Sequence, residues 1–237
     1  MHVPDGFLDP ATSATTAAVA AAGVAVALRG ARRELDERTA PMAGLTAAFV
    51  FAVQMMNFPV AAGTSGHLIG GALTAVLVGP WTAVLCMTVV LLVQGVAFAD
   101  GGLTALGTNV TLMGLVAVVV GWGVFRTLVA VLPRTRTALL ASAGVGAFLS
   151  VPLAALAFVG LFTVGGVADV SVGAVTAGMV GVHLLIGLGE AVITVAVLSA
   201  VLTVRPDLVR GARHLQRAPL LASRARAAGP VPAGGAR

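Results

Sequence analysis

From Thr39 to Ala99 the chain carries no Asp, Glu, Lys or Arg at all, and most of the remainder is equally apolar, with charges confined to short links. Only 10% of the residues are charged and 58% are hydrophobic, where a soluble domain carries about 25% charge. A backbone in contact with lipid must satisfy its own N–H and C=O groups, which leaves helices or closed barrels. The runs are too long and too rich in Ala, Leu and Val for alternating strands. Each helix crossing a bilayer uses about 20 apolar residues, so roughly six to eight crossings would take up the whole length. The pattern predicts an all-α fold, a polytopic transmembrane bundle of about seven helices.

Asp9-Pro10 reads as a helix N-cap followed by the first helical residue, so helix 1 is expected from Pro10 to about Arg29. Pro4-Asp5-Gly6 has turn chemistry, which makes the first eight residues a short segment folded back into the bundle. Small residues recur every four positions in helix 1, at Ala14, Ala18 and Ala22 and at Ala17, Ala21 and Ala25. Such stripes admit another membrane helix, from this chain or from a partner subunit. Further helices are predicted from about Pro41 to Asn57, His67 to Val78, Trp81 to Phe98, Thr104 to Leu132, Thr137 to Val164 and Val172 to Val204. The sixth is expected to break or kink near Pro152. Residues 1–213 form the membrane domain. Residues 214–237, rich in Arg, Ala, Pro and Gly without apolar periodicity, read as a disordered basic cytoplasmic tail.

The net charge of +5 comes entirely from arginine. With seven crossings, all fourteen arginines fall in the links after helices 1, 3 and 5, at the adjoining helix ends, or in the tail. The links around residues 57–66, 99–103 and 165–171 hold none. This positive-inside pattern implies a multi-pass cell-membrane protein with an external N-terminus and a cytoplasmic C-terminus. It also accounts for the basic balance without nucleic acid. No positive residue precedes the first apolar run, which argues against a cleavable signal. The lone Cys86 excludes an intrachain disulfide and a cysteine metal cluster.

The external ends bring together the candidate metal ligands. A His at position 2 offers the Met1 α-amine, the His2 amide and the His2 imidazole in two adjoining chelate rings. An all-nitrogen plane of this kind suits Ni(II) or Cu(II) better than tetrahedral zinc. His67 in GTSGHLIGG is the candidate for the fourth nitrogen, with Thr64 and Ser65 placed to support its ring. Met55 and Met56 fit a soft-metal pathway or, more simply, apolar packing. His183 and Glu190, seven residues apart, share a face of helix 7 as a second metal station or a structural polar clamp, with Asn57 and Asn109 as hydrogen-bond partners for Glu190. There is no GxxxxGK[ST], no HExxH and no Ser/His/Asp set, so any ATP hydrolysis belongs to another chain and an enzyme is not expected.

The stretches MHVPDGFLDP, NFPVAAGTSGHLIGGAL, VQGVAFADGGLTALGTNV and GVHLLIGLGEAVIT resemble the CbiM/NikM family, the substrate-binding subunits of energy-coupling-factor nickel and cobalt transporters. The likeness covers residues 1 to about 200. It implies metal binding through the Met1 amine, the His2 amide and ring nitrogens, and His67. It also implies a transmembrane coupling subunit, cytoplasmic ATPase subunits and a small additional membrane subunit as partners. PDGF and GTSGHL are closer to the nickel members, so Ni(2+) is the expected cargo and Co(2+) the alternative. GTN at Asn109 stands where the family pattern is GAN. A stand-alone channel or secondary carrier would need a continuous polar line that helices 4 and 6 do not supply. An intramembrane metalloenzyme using Glu190 as a base would need an open coordination position.

Overall fold

The structure, a computed structural model, describes residues 2–37, 39–56, 58–59, 65–213 and 215. Expectations for Met1, Asn57, Thr64, the Ser65 side chain and the tail other than Leu215 lie outside these residues. Seven helices follow one another: α1 Pro10–Ala31, α2 Thr39–Gln54, α3 Gly71–Val78, α4 Pro80–Ala97, α5 Leu106–Val131, α6 Arg136–Gly165 and α7 Val172–Val204. Two-residue strands, Phe58–Pro59 and Ser65–Gly66, pair antiparallel between α2 and α3. Short 3₁₀ turns, Pro206–Leu208 and Arg210–Ala212, follow α7.

The helix starts follow from their caps. Asp9 accepts a hydrogen bond from the Thr12 amide at 2.6 Å ahead of Pro10. The Thr135 and Ser171 hydroxyls do the same for α6 and α7. Each cap satisfies an amide with no partner within the helix.

Two expectations are corrected. α3 starts at Gly71 rather than His67, because Gly70 turns at φ 80°, a left-handed conformation that glycine alone adopts without strain. α2 ends at Gln54, short of Asn57. α6 runs unbroken through Pro152 for 30 residues, which leaves a kink rather than a break of the two expected there. The proline removes the donor for the Phe148 carbonyl, and Gly187 of α7 packs there, where a methyl group would come within 2.9 Å of that oxygen.

α1, α4, α5, α6 and α7 are long and apolar enough to cross a membrane, and α2 is shorter. α3 has 8 residues, all buried, and rises only about 12 Å. It completes a crossing together with the non-helical residues 67–70 before it. Such backbone is tolerated at membrane depth where protein surrounds it. α5 contains a π-helical stretch, Val110–Val116.

Alternation of the helices gives the bundle two ends. One gathers the N-terminal segment, residues 65–70, the α4–α5 link and the α6–α7 link. The other holds the α1–α2 link, the α3–α4 turn, the α5–α6 link and residues 205–213. The described arginines all lie at or near this second end. Arg136, for example, donates to Ser199 and Thr203 on α7.

Glycines set the closest helix approaches. Gly107 of α5 lies against the Ala17 backbone of α1, while Ala14, Ala18, Ala22 and Ala25 stay exposed. Gly146 of α6 lies against the Gly121 carbonyl of α5. Overpacking such a crossing costs about 1–3 kcal/mol, so Gly107→Val should lower the thermal unfolding midpoint in detergent. An unchanged midpoint would show that the α1–α5 crossing can open without cost.

Candidate metal centre

The N-terminal segment is tied down along its length. Val3 donates its amide to Asn109 Oδ1 at 2.7 Å, and its carbonyl accepts from Asn109 Nδ2 at 3.2 Å and from the Gly102 amide at 3.0 Å. Asp5 accepts from the amide and hydroxyl of Thr104, which hold its carboxyl below the ordinary range. Phe7 packs against Phe158 and Phe162 of α6. Its carbonyl accepts from Val167, and the Asp9 amide donates to the Gly165 carbonyl at 2.7 Å. With alternate residues engaged in this way, the segment has lost the freedom of an ordinary terminus.

That anchoring buries His2 against His67. Their rings stack with centroids 4.4 Å apart and an interplanar angle of 28°. His2 Nδ1 is 3.1 Å from Asp100 Oδ1, and neither ring nitrogen of His2 has a hydrogen-bond partner among the described residues. His67 is fully buried, and its Nδ1 donates to the Leu68 carbonyl at 2.7 Å. A carbonyl can only accept, so this bond assigns the proton to Nδ1 and leaves a lone pair on Nε2. Nε2 has no partner among the described residues.

The stretch after His67 is held from several sides. Glu190 of α7 accepts from the amides of Ile69 at 2.7 Å and Gly70 at 2.5 Å. Gln54 of α2 donates to the Ile69 carbonyl at 2.6 Å, and the Gly70 carbonyl accepts from Thr74. All four backbone groups of Ile69-Gly70 are thereby paired, as buried main chain requires. Glu190 uses neither Asn109, which serves Val3, nor His183. The His183 ring donates from Nδ1 to the Met179 carbonyl of its own helix, leaving a buried Nε2 without a partner among the described residues.

Three contributors were not legible in the sequence. Asp100 sits beside His2, Gln54 holds Ile69, and Gly101 lies flat against His2 at φ 95°. The turn composition of Ala99-Asp100-Gly101-Gly102 was the only signal available for two of them. Among the described residues no group of three or more His, Cys, Asp or Glu forms a metal cage.

A multi-pass helical membrane protein that buries stacked imidazoles beneath its own anchored N-terminal segment has the features of a metal-uptake component. The chain belongs to the CbiM family, described as the cobalt uptake substrate-specific transmembrane region, which it matches over residues 2–208. It is 38% identical over 228 residues to the cobalt transport protein CbiM of Sorangium cellulosum, covering 92% of this chain and 99% of that one. It is 38% identical over 214 residues to a putative fused nickel transport protein NikMN of Archaeoglobus fulgidus, covering 88% of this chain and 68% of that one. A crystal structure of a truncated transition metal transporter superposes with a TM-score of 0.77 at 31% identity, covering 86% of this chain and 99% of that one. The chain is a substrate-specific transmembrane component of cobalt or nickel uptake.

Proposed function

We propose that this chain captures Ni(II), with Co(II) as the alternative cargo, at the external face of the cell membrane for an ATP-driven energy-coupling-factor importer. The ligands in this reading are the Met1 amine, the His2 amide and ring nitrogens, and His67. The observation that carries it is the buried His2–His67 stack, in which His67 Nε2 has no partner among the described residues, beside an N-terminal segment fixed by Asn109, Thr104 and the α6 phenylalanines. A planar set of nitrogens favours Ni(II), and the fused nickel relative supports the same cargo. Residues 1–213 act as the binding domain. ATP hydrolysis lies on partner chains, joined by a coupling subunit and a small membrane subunit. The arginine-rich end faces the cytoplasm under the positive-inside rule.

The test is a Ni(II) titration of purified protein tagged at the C-terminus. His67→Ala should abolish tight binding while leaving expression and unfolding temperature near wild type. His183→Ala should weaken transport more than binding. Equal and complete loss of binding in both variants would move the site to α7.

The pH dependence follows from the ligands. His67 donates its Nδ1 proton to the Leu68 carbonyl, so its Nε2 carries a lone pair and need lose no proton on binding. An α-amine, with an ordinary pKa of about 7.7–8.0, must lose one, so affinity should fall about tenfold per pH unit below that range for that ligand alone. A flat affinity from about pH 8 to pH 5 would remove the amine from the site.

A further inference from the structure

At the end of the bundle opposite His2 and His67, the C-terminal turn of α1, the start of α4 and the turns after α7 enclose an open cleft of about 290 Å³. Three arginines line it: Arg29 and Arg33 from the end of α1, and Arg210. Trp81, 43% exposed, forms another wall. The indole lies across Gly30, where any side chain would collide with the ring.

The charges in the cleft do not balance. Glu34 is the acidic residue lining it, and it is buried and committed. One carboxylate oxygen accepts from the Thr82 amide at 2.8 Å and hydroxyl at 3.0 Å, and the other lies 3.7 Å from Arg210 Nε. Gly79, at φ 103°, makes room for both side chains. Asp36, in the same link, is engaged in capping α2 through Thr39. The guanidinium groups of Arg29 and Arg33 make no hydrogen bond or ion pair with any described residue.

Depth in the membrane identifies the chemistry that would meet them. α1 has 22 residues and is therefore roughly 33 Å long, close to the ~30 Å of a bilayer's hydrocarbon core. With Pro10 near one surface, Arg29 and Arg33 fall at the headgroup level of the other, beside a tryptophan of the kind that marks this boundary. Guanidinium groups pair with phosphate oxygens in a two-pronged geometry, and the open side of the cleft admits a headgroup while its acyl chains remain in the bilayer. We propose that this cleft binds the phosphate of an anionic phospholipid, with Arg29 and Arg33 as its direct partners, Arg210 as the charge behind them and Trp81 as the wall against the glycerol region.

The test uses the full chain purified in detergent and examined by native mass spectrometry with phosphatidylglycerol or phosphatidylcholine. Wild type should retain one phosphatidylglycerol well beyond the energy that strips phosphatidylcholine. Arg29→Gln with Arg33→Gln should weaken that retention roughly tenfold to thirtyfold, given the usual worth of an arginine near anionic lipid. Arg126→Gln with Arg134→Gln removes the same charge from the same end outside the cleft and should change nothing. Both pairs are exposed or half-buried surface positions, so Ni(II) binding and unfolding temperature serve as folding controls. Equal retention of the two lipids, or equal loss in both double variants, would overturn the site. Displacement of the lipid by inorganic phosphate at matched ionic strength would make the ligand a free anion and overturn the lipid assignment.

Discussion

Several residues added ahead of Met1 are expected to abolish tight Ni(II) binding while leaving the helical bundle intact. The extra peptide bond turns a basic amine into an amide and moves the free terminus out of the five-membered chelate ring. Inserting Gly between Met1 and His2 adds a second main-chain amide between amine and imidazole, so the first three residues alone offer four planar nitrogens. That variant should still bind Ni(II) but without His67 and with a changed spectrum, because Val3 is pinned to Asn109 and Gly102 and cannot shift to restore the original geometry. Loss of an outer partner costs about 10–100-fold in metal affinity, and loss of a ligand should exceed that. The first helix begins only at Pro10, so the unfolding temperature without metal should be unchanged. The measurement is Ni(II) titration with absorption spectra of C-terminally tagged wild type and both variants. An extended protein that binds as tightly as wild type, with the same spectrum, would disprove the amine ligand.

Glu190→Ala should be the most damaging single substitution outside the proposed ligands. It leaves the Ile69 and Gly70 amides buried without an acceptor. Hydrogen bonds to a charged group contribute about 1.5–3 kcal/mol each, so a loss of some 3 kcal/mol or more is expected, seen as a large drop in unfolding temperature. Ni(II) affinity should fall with it, because His67 immediately precedes the released stretch. Glu190→Gln separates packing from hydrogen bonding: it keeps the shape but faces one of the two amides with a donor. It should lie between Ala and wild type in both measurements. Wild-type stability and affinity in Glu190→Ala would show that Gln54 and Thr74 alone hold the loop.

The helices were legible because membrane insertion leaves a strong trace: long uncharged runs, with Asp9-Pro10 and Gly79-Pro80 marking the starts of α1 and α4. The gathering of His2 and His67 at one end was legible through arginine placement. What holds them was not. Glu190 and Ile69 are 121 residues apart, and the groups that Glu190 binds are backbone amides, which every residue but proline carries. The shared face of His183 and Glu190 suggested a pair, yet each takes a main-chain partner of its own. Gly70 in LIGG looked like helix, since only its positive φ reveals the turn that delays α3 by four residues. Nothing in the residue pattern announces the π-helical stretch of α5.

The anchoring of the first nine residues sets an order on biosynthesis. Val3 waits for Asn109, Phe7 for Phe158 and Phe162, and Asp9 for Gly165. These residues leave the ribosome ahead of the helices that anchor them and are therefore among the last to reach their native places, after six of the seven helices have been made. Until α6 is threaded into the membrane, His2 has no fixed position from which to meet His67. A nascent chain cannot sequester a transition-metal ion at this centre before its bundle is nearly complete, so the tether doubles as a timer on when the protein becomes competent to take up its cargo.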